Sequence, residues 1–152
     1  MPTISIIVGS ASDLEVLESA KAYLEFFELD YDIQVLSAHR QHDELVSYIK
    51  MAEQNGTRVI VACAGMAAHL PGVIAAITHL PVIGVPLNAS SLCGMDALLS
   101  IVQMPRGIPV ATMAIGKAGI INAVVYAAKI LALTDRKLML KLDDFRKRGY
   151  KL

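Results

Sequence analysis

The sequence predicts an α/β protein with a parallel sheet covered by helices on both faces. Short runs rich in β-branched residues alternate with segments of helical periodicity along the whole chain. The links between them are short, which favours right-handed crossovers and therefore parallel strands. At 152 residues the chain has about the size of one hydrophobic core, so we expect a single catalytic domain over residues 1–152.

The elements follow one another as five predicted strands, each with a helix after it. Strands are expected at 3–8, 31–37, 58–65, 81–86 and 108–116. Helices are expected from near residue 13, at 43–54, 71–78, 93–102 and 118–133, with a last one in the segment 135–152.

Local signals support two of the helix ends. SDLE at 12–15 has the form of a capping box, in which the Ser12 hydroxyl accepts from the backbone N–H of Glu15. The first helix should then begin near Asp13. Asn55-Gly56 is a C-cap signal for the second helix.

The two C-terminal helices differ in their apolar pattern. The helix at 118–133 is apolar nearly all round, so it must be covered either within the monomer or by neighbouring subunits. The last helix has Leu138, Leu142 and Phe145 on one side and charged residues elsewhere, which is typical of an amphipathic outer helix. Together these elements predict a three-layer, flavodoxin-like domain with a C-terminal amphipathic helix.

Composition excludes several classes of function. The 14 basic residues cancel the 14 acidic ones, aromatic residues make up 5% and there is no Trp, so neither the charge nor the stacking surface of a nucleic-acid binder is present. The apolar share of 55% exceeds the usual value of about 45–50%, which suggests surface buried between subunits. A membrane span at 59–80 is not expected, because His69 and Pro71-Gly72 interrupt it.

The cysteines and the first residues bear on the compartment. Cys63 and Cys93 belong to no CxxC pattern, so neither a disulfide framework nor a zinc site is indicated. The stretch MPTISIIVGSASD lacks the pattern of a signal peptide. We therefore expect a cytoplasmic protein whose ligand is a small molecule, with no membrane or nucleic-acid partner.

Two polar loops follow the first and second predicted strands. In an open parallel sheet such loops meet at the carboxyl edge, where ligands bind. In GSASD, Ser10 and Ser12 offer hydroxyls beside a helix start and can cradle a phosphate. A purely structural role, in which Ser12 caps the helix and Asp13 favours its dipole, explains the loop equally well. In SAHRQ, Arg40 can make a bidentate contact with that phosphate, while a lone Arg is more often a solvated surface residue. His39 could equally be a structural residue at a strand end.

The third loop, ACAGMAAHLPGV at 62–73, contains one titratable side chain apart from a cysteine. Between Arg58 and Asp96 there is no Asp, Glu, Lys or Arg, so a ligand there meets small side chains, backbone amides and His69. A lone His among apolar residues is more often a core residue. However, His69 follows a strand end just ahead of a predicted helix start, and a neutral imidazole can accept a proton and return it.

Taken in order, GSASD, SAHR, AAHLPG and SIVQMPRGIPVATMAIG closely resemble the N5-carboxyaminoimidazole ribonucleotide mutase family of microbial purine biosynthesis. The resemblance covers nearly the whole chain. It implies transfer of a carboxylate from the exocyclic N5 to ring carbon C4 through release and recapture of CO2. It also implies a homo-octamer that uses no metal or organic cofactor.

The resemblance implies a role for each site residue. The 5'-phosphate would be held by Ser10, Ser12 and Arg40, and the ribose hydroxyls by Asp13. The substrate site would be lined by Ser37, Ala38, His39 and the backbone of Gly65, with His69 as the proton shuttle. The chain departs from the usual family loop AGAGGAAHLPG, since Cys63 and Met66 replace two glycines.

Three other functions remain open on the sequence. The first is the animal-type enzyme, which carboxylates aminoimidazole ribonucleotide directly with CO2 and has a different signature at this loop. The second is a nucleotide- or flavin-binding module, although GSASD and SAHR offer no aromatic face for a flavin. The third is a structural oligomer that binds no ribonucleotide.

Overall fold

The computed structural model describes residues 2–152, so the first residue of the predicted domain lies outside it. The strands β1 to β5 are Ile4–Val8, Tyr31–Val35, Val59–Gly65, Val82–Leu87 and Ala111–Thr112. The helices α1 to α6 are Lys21–Phe26, His42–Gln54, Leu70–Ile77, Met95–Val102, Lys117–Ala132 and Arg136–Lys147, and a 3-10 helix at Ala11–Ala20 runs directly into α1.

The strands form one parallel sheet in the order β2-β1-β3-β4-β5. This is the flavodoxin-like order, and it confirms the predicted fold class. The chain leaves β1 towards one edge of the sheet and returns through β3 to the other. The loops after β1, β2 and β3 therefore meet at the carboxyl ends of three adjacent strands.

The side chains of the strands alternate between two hydrophobic cores. Ile6 and Val61 point towards the 3-10 helix, α1, α5 and α6, whereas Ile7 and Ala62 point towards α2, α3 and α4. All four are fully buried. Burying both faces of a parallel sheet in this way explains why β1 and β3 are continuous apolar runs.

The expected start of the first helix is wrong. Ser10, with extended backbone angles, caps the 3-10 helix, and its side chain accepts from the backbone N–H of Ser12 at 3.4 Å. The helical segment therefore begins at Ala11, ahead of Asp13, and the expected capping box of Ser12 with Glu15 does not form. An earlier hydroxyl was available as the cap, and it started the helix two residues sooner.

The fifth strand is much shorter than expected, since only Ala111–Thr112 pair with β4. Pro109 lies within the expected strand and has no backbone N–H to donate to a ladder. The segment ahead of Ala111 is therefore an irregular approach to the edge of the sheet.

Helix α5 is covered within the monomer on one face. Ile120, Ala123 and Leu131 are buried between the sheet and the surrounding helices, while Tyr126 on another face is 42% exposed. On α6, Leu138 and Phe145 are buried, which matches the predicted amphipathic outer helix. Within residues 2–152, no helix is both long enough and apolar enough to cross a bilayer.

Candidate active site

A cavity of about 530 Å³ opens at the carboxyl ends of β1, β2 and β3. Every residue predicted for the site lines it: Ser10, Ser12, Asp13, Ser37, Ala38, His39, Arg40, Gly65 and His69. The remaining lining residues are Gly9, Ala64, Met66, Ala67, Leu70 and Ala89. The three loops singled out in the sequence thus converge on one opening.

The GSASD loop forms one wall of the cavity and is tied to the sheet. The backbone N–H of Gly9 donates to the carbonyl of Cys63 at 3.3 Å, which holds this loop against the end of β3. The Ser12 hydroxyl lies 3.0 Å from that of Ser10, so two hydroxyls sit side by side at the start of a helical segment. That pairing of hydroxyls with a helix start suits an anionic group such as a phosphate.

Asp13 supplies a partly buried carboxyl to the same wall. Burial raises its pKa above the ordinary value because the charged form loses solvation, and a backbone hydrogen bond at Ser10 offsets part of this effect. A carboxylate repels an anion, so Asp13 itself is not suited to contact a phosphate. Its position therefore suits neutral donors such as sugar hydroxyls.

The SAHRQ loop forms a tight turn that aims Arg40 at the cavity. The hydroxyl of Ser37 accepts from the backbone N–H of Arg40 at 3.2 Å, and the Ser37 carbonyl accepts from the backbone N–H of Gln41 at 2.9 Å. Ser37 is buried and holds the turn. Within the described residues the Arg40 guanidinium has no carboxylate partner, so it is available to a ligand anion.

His39 and His69 form a hydrogen-bonded pair in the cavity. The distance from His39 Nε2 to His69 Nδ1 is 2.7 Å, and the two rings stand nearly perpendicular, with centroids 4.9 Å apart. His69 is the N-cap residue of α3, without a capping hydrogen bond from its side chain, and its backbone carbonyl accepts from the backbone N–H of Val73 at 2.9 Å. Sequence reasoning named both residues but gave no signal that they touch.

The wall formed by the end of β3 and the loop after it is uncharged. Its members are Ala64, Gly65, Met66 and Ala67, with Ala89 from the loop after β4. Asp13 and Arg40, on the opposite loops, are the charged side chains in the lining. Within residues 2–152, no group of three or more His, Cys, Asp and Glu side chains is arranged to hold a metal ion.

Gly65 is required at the end of β3 by a close approach. A Cβ there would lie 2.5 Å from the Cβ of Ala89, a distance that non-bonded carbons do not tolerate. Ala89 itself carried no functional signal in the sequence, because a small apolar residue after a strand is unremarkable. Its position beside Gly65 follows from the pairing of β3 with β4, which the sequence pattern does not specify.

Cys63 and Met66 stand where the resembling family commonly has glycine. Cys63 is fully buried, and burial, followed by the charge of Asp13, raises the pKa of its thiol, which makes it an unreactive packing residue. Met66 adopts a left-handed conformation with φ of 53°. A residue with a Cβ pays about 1–2 kcal/mol for that conformation, whereas glycine adopts it freely.

The fold and the cavity define a class of protein: a flavodoxin-like α/β protein with a candidate ligand site at the carboxyl edge of its sheet, where two polar loops meet one uncharged loop. The sequence model of the AIR carboxylase family matches residues 3–151. The chain belongs to that family.

Similar proteins carry more specific names. The N5-carboxyaminoimidazole ribonucleotide mutase of Escherichia coli (strain K12) is 51% identical over 95% of this chain and 85% of its own length. The protein of that name from Bacillus subtilis (strain 168) is 52% identical over 95% of this chain and 90% of its own length. A crystal structure of Treponema denticola PurE superposes with a TM-score of 0.87 at 27% identity, covering 99% of this chain and 92% of that one.

Proposed function

We propose that this protein is an N5-carboxyaminoimidazole ribonucleotide mutase, an isomerase that moves a carboxylate from the exocyclic N5 to C4 of the substrate. The observation that carries the proposal is the pair of His39 and His69, which lies between two anion-suited loops and an uncharged wall. Relatives with this name at about 51% identity over most of the chain support it.

Substrate binding is assigned to the two polar loops. Ser10, Ser12 and Arg40 hold the 5'-phosphate, because they combine hydroxyl donors, a helix start and a guanidinium that forms no ion pair within residues 2–152. Asp13 takes the ribose hydroxyls. Contacts so far from the reacting atoms anchor the substrate and leave the other end of the cavity for the chemistry.

Five other lining residues are assigned to the heterocycle. These are Ser37, Ala38, His39 and the backbone of Gly65, with His69 as the proton shuttle. With the phosphate at one end, the aminoimidazole reaches the two imidazoles.

The reaction is balanced as an isomerisation. The carbamate C–N bond breaks, its electron pair stays on the nitrogen, which takes a proton, and CO2 is released. Carbon C4 then attacks CO2 to form a C–C bond and loses its own proton. One proton leaves C4 and one is gained at N5, so neither an oxidant nor an external acid is consumed.

The histidine pair fits this exchange of protons. One of the two facing nitrogens donates and the other accepts, so two neutral imidazoles joined in this way always leave one outer nitrogen as a donor and the other as an acceptor. Transfer of a proton through the pair exchanges those roles. A single unit can therefore take the proton from C4 and deliver one to N5, and proton exchange of the two outer nitrogens with solvent restores the starting tautomers before the next turnover.

The uncharged wall acts on the carboxyl group. As the carbamate becomes CO2, its negative charge passes into the ring system, and a cation beside the carboxylate would stabilise the starting state more than the transition state. Ala64, Gly65, Met66 and Ala67 supply no such cation. We assign this wall to the release and temporary retention of CO2.

The proposal extends to the working form of the enzyme. We propose a homo-octamer of single catalytic domains, supported by exposed apolar side chains such as Leu99, Val102 and Tyr126 and by an apolar share of 55%. We propose that it works without a metal or organic cofactor, since the reaction needs only proton transfer. A cytoplasmic location fits its two free cysteines.

The direct carboxylase is the second candidate, because the same cavity can accept aminoimidazole ribonucleotide and CO2. Supplying the enzyme with synthetic N5-carboxyaminoimidazole ribonucleotide, or with aminoimidazole ribonucleotide and bicarbonate, separates the two by ultraviolet detection of the C4-carboxylated product. The mutase forms product from the carbamate at catalytic enzyme concentration. Product from aminoimidazole ribonucleotide and bicarbonate, with none from the carbamate, would assign the carboxylase activity instead.

A further inference from the structure

Met66 differs from the other lining residues in two respects. It is a large apolar residue that is 59% exposed, and it is a residue with a Cβ whose backbone is left-handed, with φ of 53°. A large apolar side chain is thus kept at the mouth of a binding site in a conformation that glycine would adopt more easily. Exposure of a large apolar side chain and a left-handed backbone at a residue with a Cβ are both unfavourable.

The backbone around Met66 is held firmly. The Met66 carbonyl accepts from the backbone N–H of Ala68 at 2.9 Å, and the Ala67 carbonyl accepts from the backbone N–H of His69 at 2.8 Å. On the other side, Gly65 is fixed by its contact with Ala89 and by its pairing with Leu87 in the sheet. The Cα–Cβ direction of Met66 is therefore set, and the freedom that remains is in the thioether side chain.

We propose that Met66 is a positioning residue that folds its side chain over the bound aminoimidazole, which holds the base against the histidine pair and retains CO2 until C4 attacks it. This inference rests on the proposed mutase function. A thioether suits the task because it is flexible, fills irregular gaps and adds no charge to the wall. Burial of its exposed apolar surface against the ligand compensates the cost of its backbone conformation.

Two interpretations of Met66 predict opposite rankings of its variants by activity and by retention of CO2. If only the turn matters, Met66→Gly and Met66→Asn should match or exceed wild type, because both residues accept the left-handed region readily. If the apolar side chain matters, Met66→Leu should resemble wild type, and the Gly and Asn variants should release more CO2 from the cavity to solution than wild type does. Glu28→Gly is a matched control, since Glu28 has φ of 51° and lines a different cavity.

The experiment supplies N5-carboxyaminoimidazole ribonucleotide labelled in its carboxyl carbon, in excess unlabelled bicarbonate, and measures the label in the C4-carboxylated product. For Met66→Gly and Met66→Asn we expect the loss of label to increase about fivefold and kcat/KM to fall by a similar factor. This factor corresponds to losing the free energy gained when roughly half of a Met side chain is buried against the ligand. Met66→Leu and Glu28→Gly should stay within about twofold of wild type.

The outcomes separate this inference from the function on which it rests. A wild-type enzyme that forms no product from the labelled carbamate overturns the mutase proposal and the role of Met66 with it. A wild-type enzyme that forms product, together with Gly and Asn variants that retain label as well as it does, overturns the role of Met66 alone. Thermal unfolding of each variant identifies any loss of label that comes from loss of fold.

Discussion

His39 Nε2 lies 2.7 Å from His69 Nδ1, although the two residues are 30 positions apart in the chain. Parallel pairing of β2 with β1 and of β1 with β3 brings the loops after β2 and β3 to the same edge of the sheet. The contact is therefore a consequence of the strand order. It is also the arrangement on which the proposed proton transfer depends.

The first prediction concerns the two histidines as a unit. His69→Asn and His39→Asn should each lower kcat by about 10²–10⁴-fold while changing the dissociation constant of the substrate by less than about threefold, because each removes one half of the relay and no phosphate contact. The double variant should be no slower than the slower single variant. Steady-state kinetics and calorimetric binding measure these quantities.

Two results would contradict proton transfer through the pair of His39 and His69. A His69→Asn variant with kcat comparable to wild type would remove the proton-shuttle role from His69. Fully multiplicative losses in the double variant would show that the two imidazoles act independently.

The second prediction concerns phosphate binding by Arg40. Arg40→Ala should raise KM by about 10- to 100-fold and leave kcat nearly unchanged, because a charge-assisted contact made equally in the ground and transition states contributes to binding alone. Arg40→Lys should recover part of the loss, since it keeps the charge without the planar fork. A variant with unchanged KM and a reduced kcat would place Arg40 in the chemistry instead.

The third prediction concerns the uncharged wall. Ala67 is exposed and lines the cavity, so a longer side chain is accommodated there without disturbing the core. Ala67→Lys should lower kcat at least about tenfold even if the substrate binds more tightly, because the ammonium stabilises the carbamate before CO2 leaves. Ala67→Met is the neutral control of similar length, and an equal or faster rate in the Lys variant would contradict the role of the wall.

The fourth prediction concerns stability at low pH. Hydrogen bonds and charge from Lys137 and Lys141, at 2.6 Å and 3.0 Å, hold the pKa of Glu28 at about 2, below its ordinary value of 4.5. The Glu28 carboxylate therefore stabilises the fold above about pH 4.5, and this contribution is lost as the pH falls towards about 2. Since Glu28 and Lys137 are exposed and Lys141 is only partly buried, the effect should be small and should weaken with salt.

Urea unfolding at several pH values tests the role of Glu28. Glu28→Gln should be less stable than wild type at neutral pH, and the difference should shrink as the pH falls below about 4.5. Glu25→Gln is a suitable control because Glu25 is exposed on the same segment and forms no ion pair at contact distance among the described residues. If the free energy of unfolding had the same pH dependence in both variants, the ion pairs of Glu28 with Lys137 and Lys141 would make no specific contribution to stability.

Much of the fold was predictable because its signals are local and repeated. Each buried strand is a run of β-branched residues, and the alternation with helical periodicity fixes a parallel sheet. The errors arose where two local signals competed. Ser10 and Ser12 both qualified as helix caps, and the apolar pattern of 108–116 concealed the missing donor at Pro109.

The site was predictable loop by loop but not as an arrangement. Polar residues at strand ends indicated where ligand atoms bind, since parallel strands present their carboxyl ends at one edge. The contact of His39 with His69, the approach of Ala89 to Gly65 and the left-handed backbone of Met66 depend on strand register. No spacing within the sequence encodes those distances.

The central claim is that one carboxyl group moves from N5 to C4 within the cavity. The most direct measurement supplies substrate labelled in that carboxyl carbon to the wild-type enzyme in excess unlabelled bicarbonate and follows the label into the product. We expect most of the product to carry the label at its C4 carboxylate. Product that carries only unlabelled carbon would contradict it, because the carboxyl group would then have come from solution.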